Sequence, residues 1–215
     1  MTKQIDEQKT PPGEARVIVI PALPVRNQGV GGIHYEKILV DEDCDRIIAS
    51  ADPAAWREGG VGGYGTVSAV VPKVRSVLEQ RLGVEADGYP LTRLCNEVCR
   101  INSELWRFDL AGFVADDMPC LMKYRGQRGD HNNWHVDMGR GVSASRKLGF
   151  TVQLSAGGDY EGGDLEFHNI DTKGVALRER GTIIIFPTYW LHRVAPLRRG
   201  LRHVIVGWVH GPSFR

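Results

Sequence analysis

The sequence of 215 residues is poor in cysteine, with four, and contains no Cys-x-x-Cys pair. A disulfide scaffold and a thiolate zinc ribbon are both excluded at that content and spacing. Cys95 and Cys99 stand four apart in an apolar helical pattern and read as packing residues. No apolar run approaches the ~20 residues that a membrane-spanning helix requires, so a membrane partner is not expected. No strand is predicted before the glycine run at 59–65, so a phosphate-cradling loop of a dinucleotide site is not expected there. Internal repeats and heptads are lacking too. The first ten residues are polar where a secretory signal would be apolar, and the expected location is the cytoplasm.

Charge of one sign is also scarce overall, with 27 Lys and Arg against 26 Asp and Glu. Residues 121–215 nevertheless carry 14 basic against 8 acidic side chains, leaving 13 against 18 in residues 1–120. The second half should therefore attract anions. With no basic run, the expected anion is a small molecule and not a nucleic acid.

Residues 1–28, rich in proline, glutamine and charge, read as a flexible arm with at most an edge strand at 17–20. Residues 29–215 read as one domain, helix-rich over 41–110 and β over 118–210. Acidic residues at 41, 42, 43 and 45 favour a helix start at Asp41, and further helices are predicted over 74–82 and 91–108. After residue 118 the apolar period changes from 3.6 to 2. Strands are predicted at 120–124, 133–137, 148–154, 164–167, 182–186 and 203–208, with a turn at 157–163. Five glycines fall within residues 59–65, which suggests a loop able to close over a ligand.

The chemistry is carried by Trp134-His135-Val136-Asp137. On a strand, His135 and Asp137 at i and i+2 point to one face. Downstream, an apolar strand breaks at Pro187 and leads to His192. Two histidines and one carboxylate on a β scaffold form a facial triad that leaves half of an octahedral ion's positions open, an arrangement suited to Fe(II). Zinc would also accept these three ligands, as a hydrolase or as a metal- or acid-binding barrel without turnover. Arg202 shares a strand face with Val204, Val206 and Trp208, placing a planar cation where a carboxylate can be gripped by two hydrogen bonds. Tyr124, on the face of Met122, offers a hydroxyl to the same carboxylate. His131, four residues upstream of His135, is a third histidine near the triad but lacks an i+2 carboxylate. His34, His168 and His210 show no partners in the sequence, and His203 reads as a packed histidine.

These segments resemble the iron(II)- and 2-oxoglutarate-dependent oxygenases of the prolyl 4-hydroxylase-like group. The resemblance rests on Tyr124-Arg-Gly-Gln, His135-Val-Asp137, Asp159-Tyr-Glu-Gly-Gly-Asp-Leu165, Gly181-Thr-Ile-Ile-Ile-Phe-Pro187, His192-Arg-Val-Ala-Pro and Gly200-Leu-Arg202 running to Trp208, and it covers residues 33–210. It implies a mainly β fold with flanking helices around a double-stranded β-helix, a cupin-like jelly roll. It further implies Fe(II) on His135, Asp137 and His192, the far carboxylate of 2-oxoglutarate on Tyr124 and Arg202, O2 as oxidant and ascorbate as a reductant. The implied reaction is hydroxylation of an unactivated C–H bond with succinate and CO2 as coproducts. The favoured substrate is an amino-acid side chain, free or in a peptide or protein, with a small metabolite as the alternative. Tyr64, Trp134, His131 and Arg140 are the expected substrate contacts.

Overall fold

Strand side chains alternate between faces, and in this chain the alternation separates two cores. The computed structural model describes residues 32–61, 69–172 and 177–214. The arm at 1–28, most of the glycine cluster and Tyr64 lie outside them. The elements in chain order are β1 (His34–Lys37), α1 (Asp41–Ala49), β2 (Arg57–Glu58), β3 (Arg75–Ser76), β4 (Leu78–Arg81), α2 (Leu91–Glu104), β5 (Cys120–Arg125), β6 (His131–His135), β7 (Arg146–Gln153), β8 (Tyr160–Gly162), β9 (Leu165–Phe167), β10 (Thr182–Pro187), β11 (His192–Val194) and β12 (Leu197–His210). They form a mainly β structure with two α-helices among the described residues, in agreement with the expected class.

The larger sheet runs β1-β10-β7-β12-β5-β4-β2, with β8 paired to β12, and the smaller runs β3-β6-β11-β9. The pairings are antiparallel throughout. On one face of the larger sheet Leu121, Leu148, Phe150, Val152, Ile183, Ile185, Ile205 and Val209 meet the apolar sides of the two helices. Their neighbours in sequence, Met122, Tyr124, Ile184, Phe186 and Val204, face the space between the sheets, where they meet Leu165, Phe167 and Val194 of the smaller sheet. The first face anchors the helices, and the second builds the pocket.

The α1 helix begins where its acidic first turn complements the helix dipole and buries Cys44 and Ile47. The α2 helix buries Leu94, Val98 and Ile101, but it stops at Glu104 and not at 108. The Asn102 side chain causes the stop: its amide donates to the Phe108 carbonyl and its oxygen accepts from the Phe108 N–H, folding the chain back at Arg107 with φ of 55°. Trp106 in this reversal is fully buried beneath the helices. Trp106→Ala should destabilise the protein by about 3–5 kcal/mol, as expected for losing a large core aromatic, and urea unfolding measures it.

The helix expected at 74–82 is absent. Val74, Val77, Leu78 and Leu82 have helical spacing, but Leu78 to Arg81 instead extend the larger sheet against β5, in the register Leu78↔Lys123 to Arg81↔Cys120. Sheet pairing, which buries Val77 completely, overrides the local pattern. The segment 157–163 turns as expected and then contributes β8, paired to β12. At Gly200, with φ of +78°, a Cβ would lie 2.1 Å from the Asp159 carbonyl oxygen, so only glycine allows the two segments to pass. Among the described residues no helix is long and apolar enough to cross a membrane.

Candidate metal centre

His192 opens β11 directly opposite His135, the last residue of β6. Asp137 lies two residues past the end of β6 rather than within a strand at 133–137 as the sequence suggested. It is positioned by its own backbone, whose N–H donates to the Thr188 carbonyl at 2.9 Å. From there its Oδ1 lies 3.5 Å from His135 Nε2 and its Oδ2 3.6 Å from His192 Nε2. The three ligand atoms lie within 4.8 Å of one another, the one such grouping of three among the described residues.

Both imidazoles are held with the coordinating nitrogen inward. His135 Nδ1 lies 2.6 Å from the Asn133 carbonyl and His192 Nδ1 2.9 Å from the Trp190 carbonyl. A carbonyl only accepts, so each Nδ1 carries the proton and each Nε2 presents a lone pair toward Asp137. Burial pushes His192 toward the neutral form a metal requires. Burial alone would raise the Asp137 carboxyl, but the facing His192 and His135 outweigh it and hold the group below the usual carboxylate range. A carboxylate oxygen and two imidazole nitrogens therefore converge.

Gly149 on β7 makes room for this carboxylate. A Cβ there would stand 2.9 Å from Asp137 Oδ2 and 3.1 Å from the Phe186 ring. Gly149→Ala should displace the carboxylate and weaken divalent-metal binding by about ten- to a hundredfold, the usual effect of disturbing a ligand's support. Manganese titration followed by calorimetry is the check, with the melting curve as the control for folding.

Arg202 sits deeper, on β12, with a relative exposure of 1%. Its Nε donates to Gln153 Oε1 at 3.2 Å, while Nη1 and Nη2 are buried with no hydrogen-bond partner. Its guanidinium carbon lies 5.4 Å from the centre of the Tyr124 ring, and Arg202 pairs with Tyr124 across the sheet. Burial pushes the Tyr124 phenol up, against the pull of the Arg202 cation. A buried cation with two unsatisfied donors is strongly unfavourable alone and matches a carboxylate approaching from the pocket. The donor set thus fits both a ferrous ion and a dicarboxylic acid reaching from the ion to Arg202.

The other candidates fall outside the triad. His131 is tied to the chain, its Nδ1 2.9 Å from the Gly129 carbonyl and its Nε2 3.4 Å from that of Lys73. Trp134 is exposed on the outer side of the smaller sheet, against His168 and beneath Arg193. Arg140 is exposed in the loop after Asp137. The expectation that His34, His168 and His210 lack partners is corrected. His210 is buried between Ser145 Oγ at 2.9 Å and Asp117 at 3.1 Å, His34 faces Glu36, and His168 packs edge-on to Trp134. Half-buried His203 packs near Trp56, and its pKa is brought down to about 4 by burial and by Lys123.

Two participants escaped the sequence reading. Gln153, which orients Arg202, occupies the pocket-facing parity of β7 together with Gly149, a signal available once that strand is recognised. Asn132, whose amide nitrogen is 3.1 Å from His135 Nε2, had no such signal.

Relatives in sequence and in fold bear out the resemblance. The fold is that of the prolyl hydroxylases: a Pseudomonas putida prolyl-4-hydroxylase aligns with TM-score 0.63 at 17% identity, over 86% of this chain and 95% of that one. A Trichoplax adhaerens prolyl hydroxylase, solved with a peptide fragment of hypoxia inducible factor, aligns at 0.58 and 17% over 84% of each. In sequence, the chain is 40% identical over 85 residues to a PKHD-type hydroxylase of Synechococcus sp. (strain CC9902), and 40% identical over 96 residues to one of Hyphomonas neptunium. The first match covers 40% of this chain and 38% of the relative, the second 42% of each, so the chain spans about two fifths of the length of these relatives. No family profile matches.

Proposed function

We propose that this chain is an Fe(II)- and 2-oxoglutarate-dependent dioxygenase, a single catalytic domain over residues 29–215, that hydroxylates an unactivated C–H bond of an amino-acid side chain. The observation that carries this reading is the pair of partnerless Nη atoms of buried Arg202 in a chain that also clusters His135, Asp137 and His192. A zinc hydrolase has no use for a buried cation in that place, and turnover separates the oxygenase from a barrel that only binds an acid.

Three protein ligands would hold the ion on one side and leave the other for exchangeable ligands. Fe(II) held there would supply O2 activation coupled to 2-oxoglutarate, for C–H hydroxylation with succinate and CO2 as coproducts and ascorbate as a supporting reductant. Arg202 and Tyr124 hold the distal carboxylate, Gln153 keeps the guanidinium fork turned toward it, and the apolar wall of Met122, Phe167, Phe186 and Val204 excludes water. The carbonyls on the Nδ1 atoms of the two histidines keep both rings turned with Nε2 toward the ion.

The relatives' hydroxylase names and the peptide held by the Trichoplax neighbour favour a residue within a peptide or protein as substrate, with a free amino acid or small metabolite as the alternative. Tyr64, Trp134, His131 and Arg140 remain candidates for contacts beyond the metal. The test is a screen of amino acids, peptides and protein extracts for a product that gains one oxygen atom in step with succinate. A product independent of added 2-oxoglutarate would contradict the proposal.

A further inference from the structure

Asn132 lies closer to the metal cluster than its place in the sequence suggests. Three positions from His135 on a regular strand, it would point to the opposite face. The pairing of β6 with β11 is irregular: Val194 stands opposite Asn132 and His192 opposite His135, so three steps on one strand match two on the other. That β-bulge swings Asn132 to the side of the metal ligands. Its amide nitrogen then lies 3.1 Å from His135 Nε2.

Because His135 Nδ1 faces the Asn133 carbonyl at 2.6 Å, Nε2 is the unprotonated nitrogen, and the Asn132 amide donates to it. This is the same lone pair that the ion requires. An ion on Nε2 and a hydrogen bond to Nε2 exclude each other, so loading the metal frees an amide N–H within hydrogen-bonding reach of the metal's own coordination space. Asn132 has one polar amide end and is only half-buried, so it can turn to a new acceptor.

We propose that Asn132 caps His135 in the metal-free protein and, once metal is bound, donates instead to the metal-bound end of the cosubstrate, its carboxylate or keto oxygen. Asn132 is then a cosubstrate-binding residue at the end opposite Arg202, and its effect on metal and on cosubstrate has opposite sign. The inference rests on the reading of His135, Asp137 and His192 as a divalent-metal site.

The test uses the full chain with Mn(II), which needs no oxygen exclusion. Metal is titrated calorimetrically, and then 2-oxoglutarate is titrated into the loaded protein. Asn132→Ala should bind Mn(II) at least as tightly as the unaltered protein, while its 2-oxoglutarate affinity falls about tenfold or more, the worth of one hydrogen bond to a charged acceptor. Asn132→Asp should widen the split, with tighter Mn(II) because it adds a carboxylate and weaker 2-oxoglutarate because it repels one. Parallel losses of metal and cosubstrate in Asn132→Ala, or no change in either, would overturn the role of Asn132 while leaving the metal site standing. Failure of the unaltered protein to bind Mn(II) would overturn both.

Discussion

Asp137→Ala is expected to abolish 2-oxoglutarate turnover and hydroxylation while the protein stays folded. The carboxylate is the one acidic ligand of the cluster, its oxygens 3.5 Å from His135 Nε2 and 3.6 Å from His192 Nε2. Without it, two neutral imidazoles must hold the ion alone. Because losing a group that merely supports a ligand weakens metal binding by about ten- to a hundredfold, losing the ligand itself should exceed that. Stability should change little, since the fold rests on the apolar cores on either side of the larger sheet, and Asp137 contributes its backbone N–H to Thr188 with any side chain. Succinate formation, Mn(II) affinity and a melting curve on one preparation check all three statements. Undiminished succinate production by Asp137→Ala would remove this residue from the ligand set.

The second large effect is on the cosubstrate. Arg202→Ala should raise the Kd for 2-oxoglutarate on the metal-loaded protein by about ten- to a hundredfold, the ~1.5–3 kcal/mol that hydrogen bonds to charged groups contribute. Arg202→Lys should rescue little, because an ammonium cannot reproduce the planar two-point grip. The unsubstituted protein should gain melting temperature as 2-oxoglutarate is added, since the ligand satisfies two buried donors that otherwise have no partner. In Arg202→Ala that gain should disappear at the same concentrations. Metal affinity should be unchanged in both variants, which separates loss of the anchor from general disruption of the site.

The β half of the molecule was legible in the sequence because each strand carries its own signal, an apolar alternation bounded by glycine or proline. Arg202 and Val204 can be placed on one face, and Tyr124 with Met122, from alternation alone. At the site itself His135 and Asp137 do converge, but parity along one strand is not the whole reason. Asp137 sits past the end of β6 on the Thr188 carbonyl, and Asn132 is turned inward by a bulge against β11; both depend on contacts with residues distant in sequence, which local periodicity does not encode. The segment at 74–82 was misread for the converse reason, since its helical spacing is real but its pairing with β5 prevails. Likewise, His210 found Asp117 and Ser145 only through the fold.

The most direct test of the whole account is anaerobic titration of the protein with Fe(II) and then 2-oxoglutarate, followed by visible absorption. A weak charge-transfer band should grow to a one-to-one stoichiometry in the unaltered protein, be absent in Asp137→Ala, and need far more 2-oxoglutarate in Arg202→Ala. A band of the same strength in all three, or none in the unaltered protein despite bound iron, would contradict a ferrous centre at positions 135, 137 and 192 with its cosubstrate anchored on Arg202.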